Sequence, residues 1–328
     1  MQSWPDIFSK FNNLTVLIIG DVMVDAYIWG AVERISPEAP VPIINVKKRS
    51  FRLGGAANVA LNVLALGAKP VLCALVGQDE NGKRLLQLME ENGMRKEGIV
   101  TSTTRPTTVK ARIIAAHQHV IRIDDESEAV ATLQEENELL KRIEKLLPSC
   151  QVVIFEDYDK GVITPKLIEE TVKLAKTLGI PTIVDPKKRN FLHYKNVTLF
   201  KPNLKELREG LKLEIEAGDQ ESVNKAVEQA KHKLGLEGVI LTLSERGVYI
   251  DYQNQKLIVP AHKREIADVS GAGDTVVSIA ALCVALDLSP EKVASLSNLG
   301  GGLVCQYVGV VPVNKEELLR EVVELELV

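Results

Sequence analysis

A glycine-rich segment that ends in an acid is the strongest chemical signal in the 328-residue sequence. It reads Asp268-Val-Ser-Gly-Ala-Gly-Asp-Thr275 and leads into an apolar stretch typical of a buried helix. Small residues let backbone N–H groups approach a ligand, and the following helix adds its positive end, so the segment could hold a phosphate or an oxyanion. A carboxylate there suits proton removal from a hydroxyl that attacks the phosphate. The alternative is a plain turn in which Asp274 caps the helix.

A second glycine pair precedes another helical stretch. Gly54 and Gly55 would let a bulky ligand lie against the backbone, and Asn58 offers both a donor and an acceptor to sugar hydroxyls. The same residues could equally form a tight turn in which Asn58 packs locally.

Two more segments lie where a strand is predicted to end. Asn203 and Glu206 are three residues apart, so both could face one point and organise a hydrated Mg²⁺, or they could form a helix-capping box. Thr242 and Ser244, followed by Gly247, could offer hydroxyls to phosphate oxygens or form a hairpin turn.

Buried strands alternate with amphipathic helices along most of the chain, which predicts a parallel sheet covered by helices on both faces. The predicted strands are 15–20, 71–77, 152–156, 181–185 and 238–243, and the predicted helices are 56–66, 82–92, 165–178 and 222–234. Ligands bind beyond the carboxyl ends of such strands, and several of these ends carry glycines or acids. We expect the active site at that edge.

Residues 22–48 and 105–124 instead alternate apolar and polar side chains with a period of two, which indicates half-exposed strands. We interpret them as a small second sheet that forms a lid over the active edge. We place Tyr27, Trp29 and Ile43 on its outer face, where they would favour self-association into a homodimer. The alternative is an extension of the main sheet.

Composition excludes several classes of protein. The formal net charge is −4, so the chain has no general positive field for binding nucleic acid. Its four cysteines are far apart without a Cys-x-x-Cys spacing, which fits a reducing compartment and argues against a zinc site. The N-terminus lacks the pattern of a signal peptide, and the longest apolar stretch, 276–288, is shorter than the ~20 residues of a membrane span. We expect a cytoplasmic protein that does not associate with membranes.

The order of the motifs is more specific than any one of them. Gly-Gly-Ala-Ala-Asn early, Pro-Asn-x-x-Glu in the middle and Asp-x-Ser-Gly-Ala-Gly-Asp late resembles the ribokinase-like (phosphofructokinase-B) carbohydrate kinases over essentially the whole chain. The resemblance implies an α/β three-layer sandwich with a mostly parallel central sheet and a small β lid, within one kinase domain over 1–328.

Within this family, residues 20–25, 34–42, 157–161 and 185–187 resemble the kinases of D-glycero-β-D-manno-heptose 7-phosphate. Those enzymes phosphorylate C1 of the sugar with ATP, in the biosynthesis of ADP-heptose for lipopolysaccharide. Their kinase domain is often fused to a nucleotidyltransferase, and we expect no such domain within these residues.

The resemblance also implies residue roles. Asp274 would deprotonate the anomeric hydroxyl, the N–H groups of Gly271, Ala272 and Gly273 would steady the transferring phosphoryl group, and Asn203 and Glu206 would organise Mg²⁺ through water. The residues implied along ATP are Lys187, Asn203, Glu206, Thr242, Ser244, Gly247, Asn298 and Gly301. Those implied at the sugar hydroxyls are Asp21, Asp25, Gly54, Gly55 and Asn58. The candidate cations for the phosphate of the substrate are Arg34, Lys110, Arg112 and Lys160, and Lys187 could serve either this phosphate or those of ATP.

Two departures from the family pattern limit what the resemblance implies. Ser270 stands where the family usually has Thr, which keeps the hydroxyl. Gln306–Val310 replaces the usual Lys-x-Gly-Thr in a region where backbone carbonyls of related kinases bind a monovalent cation. The resemblance therefore predicts neither dependence on potassium nor independence from it. Other substrates in the family, such as ribose, fructose or a ketoacid-type sugar, are the main alternative, and a non-catalytic sugar or nucleotide sensor is a weaker one.

Overall fold

A computed structural model describes residues 3–115, 118–215 and 218–327, which form thirteen β-strands and ten α-helices. The strands are β1 Thr15–Gly20, β2 Val22–Ile35, β3 Pro42–Gly55, β4 Lys69–Gly77, β5 Ile99–Ser102, β6 Thr108–Ala115, β7 Gln118–Asp125, β8 Val152–Glu156, β9 Thr182–Asp185, β10 Leu199–Phe200, β11 Gly238–Thr242, β12 Val248–Tyr252 and β13 Gln255–Val259. The helices are α1 Trp4–Phe11, α2 Ala56–Ala65, α3 Glu80–Glu91, α4 Leu133–Leu146, α5 Pro165–Thr177, α6 Leu204–Leu211, α7 Gln220–Leu234, α8 Ala272–Ala285, α9 Pro290–Val304 and α10 Lys315–Glu324.

The main sheet has nine strands in the order β13-β12-β11-β10-β9-β8-β1-β4-β5. Its strands from β5 to β11 run parallel, and β12 and β13 join antiparallel at one edge. Alternate residues of β1 face two separate cores, with Val16 and Ile18 in one and Leu17 and Ile19 in the other. Helices therefore cover both faces, as the unbroken apolar runs predicted.

The predicted strands and helices of the main sheet agree with the observed ones to within two residues at every end, whereas the predicted stretch 22–48 is too short, because β3 continues to Gly55. Strand β8 has the predicted bounds, and α2 and α5 each begin at the predicted residue. Pro165 at the first helical position and the side chain of Thr164, which accepts the Leu167 N–H, define the start of α5.

The two stretches with a period of two form a separate four-stranded sheet in the order β3-β2-β6-β7, and they do not extend the main sheet. Residues 116 and 117, within the predicted 105–124 stretch, lie outside the described residues. The placement of Tyr27 on an outer face was wrong. Its side chain is buried, because it packs under the segment around Gly309 and its hydroxyl accepts the Val310 N–H at 3.1 Å.

In the described part of the chain, none of the helices has the length and apolar character required to cross a bilayer.

Candidate active site

The carboxyl ends of the central parallel strands open onto one cleft of about 740 Å³. Asp185 is the last residue of β9, Asn203 lies just beyond β10, and Thr242 is the last residue of β11. The start of α8 forms the opposite wall of the cleft. The cleft therefore lies at the edge that the strand ends predicted.

Asp274 lies in the first turn of α8 at the inner end of this cleft. The helix is capped by the backbone of Gly271, whose φ of +81° is easily adopted only by glycine, so Asp274 is not the helix cap. One carboxylate oxygen accepts from the hydroxyl of Tyr158 at 2.7 Å, and the other accepts from the side-chain amide of Asn58 at 2.7 Å. The two glycine segments, 216 residues apart in sequence, thus meet at one carboxylate.

The environment of Asp274 suits a general base. Burial raises the pKa of the carboxyl, and the hydrogen bonds from Asn58 and Tyr158 oppose that rise by favouring the charged form. Because its pKa is raised overall, the Asp274 carboxylate is a stronger proton acceptor than an ordinary aspartate.

Asp21 positions the loop that carries Tyr158. Its carboxylate accepts the backbone N–H groups of Tyr158 at 2.9 Å, Lys160 at 3.1 Å and Val162 at 3.1 Å. Burial, with the nearby charge of Asp157, raises the pKa of Asp21 to about 6. The resemblance predicted Asp21 at the sugar hydroxyls, and in the structure its carboxylate accepts three backbone N–H groups of the segment 158–162.

The other predicted sugar ligands do not line this cleft, and they are linked to Asp274 and to one another by close contacts. Asp25 forms a buried ion pair with Arg112. A Cβ on Gly54 would collide with the Asp25 carboxylate, and one on Gly55 would collide with the backbone of Asp21, so both positions require glycine. The Oδ1 atom of Asn58 is buried without a hydrogen-bond partner among the described residues, which leaves an acceptor for a sugar hydroxyl.

The four candidate cations differ in their surroundings. Arg34 is exposed near the end of β2. Lys110 lies 3.6 Å from Asp124 and 3.5 Å from Glu126, and Lys160 pairs with Glu126 at 2.6 Å. With Arg112 paired to Asp25, three of the four already have a carboxylate neighbour.

The predicted Mg²⁺ pair forms a capping box at the start of α6, as the alternative interpretation had it. The Asn203 side chain accepts the Glu206 N–H at 2.8 Å, and Glu206 accepts the Asn203 N–H at 2.8 Å. The other oxygen of Glu206 bonds Lys187 at 2.5 Å, so the pair still faces the cleft.

The remaining predicted nucleotide residues all line the cleft: Thr242, Ser244, Gly247, Asn298 and Gly301. The turn after β11 is tight, with Ser244 at a φ of 54° and Gly247 at a φ of +94°. Asn298 is oriented by a bond from its amide to the Pro260 carbonyl at 2.8 Å.

Sequence reasoning assigned no role to Tyr158, Glu156 or Lys201, which the structure brings to Asp274. Glu156 is fully buried, and neither of its carboxylate oxygens has a hydrogen-bond partner in the described parts of the chain. Burial and the charges of Asp185 and Asp274 raise its pKa well above the ordinary value. Lys201 bonds Asp185 at 2.8 Å. The strand-end position of Glu156 was visible in the sequence, but its neighbours were not.

Known proteins resemble this chain in sequence over most of its length. The chain matches the pfkB family of carbohydrate kinases over residues 13–317. It is 41% identical over 303 residues to the "bifunctional protein HldE" of Wolinella succinogenes, covering 92% of this chain and 63% of that protein. The protein of the same name from Caulobacter vibrioides is 42% identical over 309 residues, which cover 94% of this chain and 63% of the relative. The chain therefore spans less than two thirds of the length of these relatives.

Solved structures share the fold at low sequence identity. Phosphofructokinase-2 from Escherichia coli, in complex with fructose-6-phosphate, superposes with a TM-score of 0.77 at 17% identity, covering 94% of this chain and 99% of that one. Ribokinase from Arabidopsis thaliana, complexed with ribose and ATP, gives a TM-score of 0.72 at 18% identity with the same coverage. The ribokinase-like sandwich with its small second sheet is thereby confirmed.

Proposed function

The chain belongs to the pfkB family of carbohydrate kinases, and from this premise we propose that it phosphorylates C1 of D-glycero-β-D-manno-heptose 7-phosphate with ATP. The observation that carries the proposal is the contact of Asp274 with Asn58, which joins a base at an anion site to a residue suited to sugar hydroxyls. The heptose assignment is supported by the resemblance of 34–42 and 157–161 to kinases of that sugar phosphate.

The proposed reaction is a direct transfer. Asp274 accepts the proton of the C1 hydroxyl as that oxygen attacks the γ-phosphorus of ATP. The bond from this phosphorus to the bridging oxygen breaks, and ADP leaves with the electron pair. Backbone N–H groups of Gly271, Ala272 and Gly273 face the developing charge on the phosphoryl oxygens.

Residues along the cleft fit ATP with a magnesium ion. Lys187 and Lys201 supply positive charge toward the phosphates. Asp185 in the cleft has a carboxylate oxygen without a hydrogen-bond partner among the described residues, and so does Glu156, buried behind the lining; carboxylate oxygen is the donor type that hydrated Mg²⁺ prefers. Asn203 and Glu206 face the same space. When bound, Mg²⁺ would neutralise charge on the phosphates and orient them.

A screen of purified protein with ATP and a panel of free sugars and sugar phosphates tests the substrate. We expect the highest kcat/KM with the heptose 7-phosphate, measured by ADP release and by identification of a 1,7-bisphosphate. Higher kcat/KM with free ribose, free fructose or a ketoacid-type sugar would reject the heptose assignment in favour of another sugar kinase. Absence of ADP release with every sugar would instead favour a sensor.

We further propose that the small sheet closes over the bound sugar and joins two copies in a homodimer. Strand β7 is exposed along its whole length and carries Val120, Ile121 and Ile123, which are 40%, 52% and 52% exposed. An exposed apolar edge strand favours pairing with another strand. Sedimentation of Ile121→Glu against the unchanged protein is the test, and an unaltered mass would contradict an interface at this edge.

A further inference from the structure

We propose that the inner face of the small sheet binds the phosphate that the sugar already carries, with Arg52 as its principal ligand and Arg112 beside it. The site would take a phosphate monoester on a sugar. The inference rests on the proposed function, because it requires a phosphorylated substrate.

Strand register places these cations on one face of the small sheet. Asp25 pairs with Arg52 on β3 and with Lys110 on β6, so the three side chains project to the same side. Two residues further along, Tyr27 pairs with Arg112 on β6 and therefore lies on that side as well. The guanidinium carbons of Arg52 and Arg112 lie 4.9 Å and 5.4 Å from the centre of the Tyr27 ring.

This face carries an excess of positive charge. Register extends it to β7, where Arg112 pairs with Arg122 and Lys110 with Asp124. The cations on the face are Lys48, Arg52, Lys110, Arg112 and Arg122, and its carboxylates are Asp25 and Asp124. Glu126, just beyond β7, also lies 3.5 Å from Lys110. Among the described residues, cations therefore exceed carboxylates by two, enough to balance one phosphate monoester dianion.

Arg52 is the cation whose donors are available. Lys110 and Arg112 have carboxylates within ion-pair distance, whereas within 3–115, 118–215 and 218–327 Arg52 has no carboxylate at that distance. Its polar contact is a bond from one terminal nitrogen to the Val310 carbonyl at 2.8 Å. A guanidinium has five N–H donors in a planar fork that matches two phosphate oxygens, so donors remain for a ligand.

The contacts of Val310 place Arg52 near the reacting groups. The Val310 side chain would lie 3.4 Å from a Cβ on Gly271, and Asn58 Nδ2 would lie 3.1 Å from that same Cβ. The residue that Arg52 bonds therefore packs against the loop that leads to Asp274. Through Val310, Arg52 is thus connected to the loop beside which Asn58 would hold a sugar.

The other side of the site is already assigned to the phosphates of ATP. Its lysines Lys187 and Lys201 are each paired with a carboxylate, Glu206 and Asp185 respectively. The buried Glu156 and Asp274 add negative charge there, which raises the free energy of any further anion. The phosphate that is not transferred is therefore better placed against the small sheet.

The test is Arg52→Gln beside the matched control Arg49→Gln. Arg49 is exposed on the same strand, and its odd spacing from Arg52 puts it on the opposite face. Loss of charge-assisted hydrogen bonds to phosphate is expected to raise KM for the sugar phosphate roughly 10- to 100-fold. The value of kcat/KM for the same sugar without its phosphate should change less than about threefold, as should both values in the control.

Arg52→Lys separates charge from geometry, because lysine keeps the charge and loses the fork. We expect an intermediate KM, and competition by inorganic phosphate should weaken in the order Arg, Lys, Gln. This variant also keeps the test decisive if the glutamine variant folds poorly.

The outcomes distinguish the two proposals. An equal loss toward phosphorylated and free sugar in Arg52→Gln would show that Arg52 acts only through Val310, which overturns the phosphate site. An unchanged KM for the sugar phosphate would overturn it too. A wild-type protein that accepts only free sugars would reject the heptose assignment, and the phosphate site with it.

Discussion

The edge of the main sheet and the inner face of the small sheet have opposite electrostatic character. At the main sheet the carboxylates are almost fully buried, and Lys201 and Asp185 form an ion pair whose side chains are 4% and 5% exposed. At the small sheet cations outnumber carboxylates, and the side chains of Arg112 and Lys110 are 12% and 17% exposed. The buried acidic side is suited to proton removal and phosphoryl transfer. The basic side is suited to selecting a sugar that carries a phosphate.

Backbone contacts connect the two regions. Asp268 accepts the Ser270 N–H at 2.9 Å and the Gly309 N–H at 2.9 Å, and Tyr27 accepts the N–H of the next residue, Val310. The segment around Gly309 therefore touches both the glycine loop and the small sheet. Movement of the small sheet would therefore displace the glycine loop 268–273, which we propose holds the phosphoryl group.

Removing the base should produce the largest effect on the acidic side. Asp274→Asn keeps the size of the side chain and removes its ability to accept a proton, so kcat should fall about 10²- to 10⁴-fold. Steady-state kinetics with ADP release is the measurement. Asp287→Asn, an exposed change just beyond the other end of α8, is the control and should keep normal activity. Near-normal transfer by Asp274→Asn would remove the base from the mechanism.

Breaking the buried ion pair between Lys201 and Asp185 tests whether the stability of the acidic side depends on its lysines. Lys201→Met leaves Asp185 buried beside Glu156, which should lower the free energy of unfolding by about 3–5 kcal/mol. Urea unfolding followed by circular dichroism measures this. Lys205→Met changes an exposed lysine paired with Glu209 on α6 and should alter stability little. Equal effects of the two changes would contradict the contrast in burial.

Tyr158→Phe should have a smaller and pH-dependent effect. A hydrogen bond donated to a carboxylate favours its charged form, so losing the Tyr158 bond should raise the pKa of Asp274 further. Because the ionised carboxylate is the active form, the acid limb of the kcat/KM profile should move to higher pH, with a loss of about tenfold at low pH. Tyr307→Phe, at an exposed tyrosine, should leave the profile in place. A shift toward lower pH would disprove this role of Tyr158.

Tyr27→Phe removes the hydrogen bond that connects the small sheet to Val310, and it should have the smallest effect of the four substitutions. It leaves the Val310 N–H without its acceptor, so the free energy of unfolding should fall by about 1 kcal/mol. Amide hydrogen exchange at Val310 should become faster, while kcat with saturating sugar should change little. Unchanged exchange at Val310 would mean that the bond does not hold the two regions together.

Much of the fold was predictable because its signals are local. The apolar run at 152–156 predicted β8, and Pro165 after Thr164 predicted the start of α5. The two stretches with a period of two predicted a second sheet, since half-exposed strands need one apolar face. Burial of Tyr27 was not predictable from alternation, because a segment 283 residues further along covers it.

The candidate site divides in the same way. Residue types and spacing alone indicate Asp274 as a base and the glycine turn as an anion site, since small residues and a helix start act over a few neighbouring positions. Only the folded chain decides that Tyr158 donates to Asp274. The same holds for two facts about the described residues: Glu156 is buried without a hydrogen-bond partner, and Arg52 has no carboxylate at ion-pair distance. Those facts are distances between residues far apart in sequence, and chain packing, not local preference, determines them.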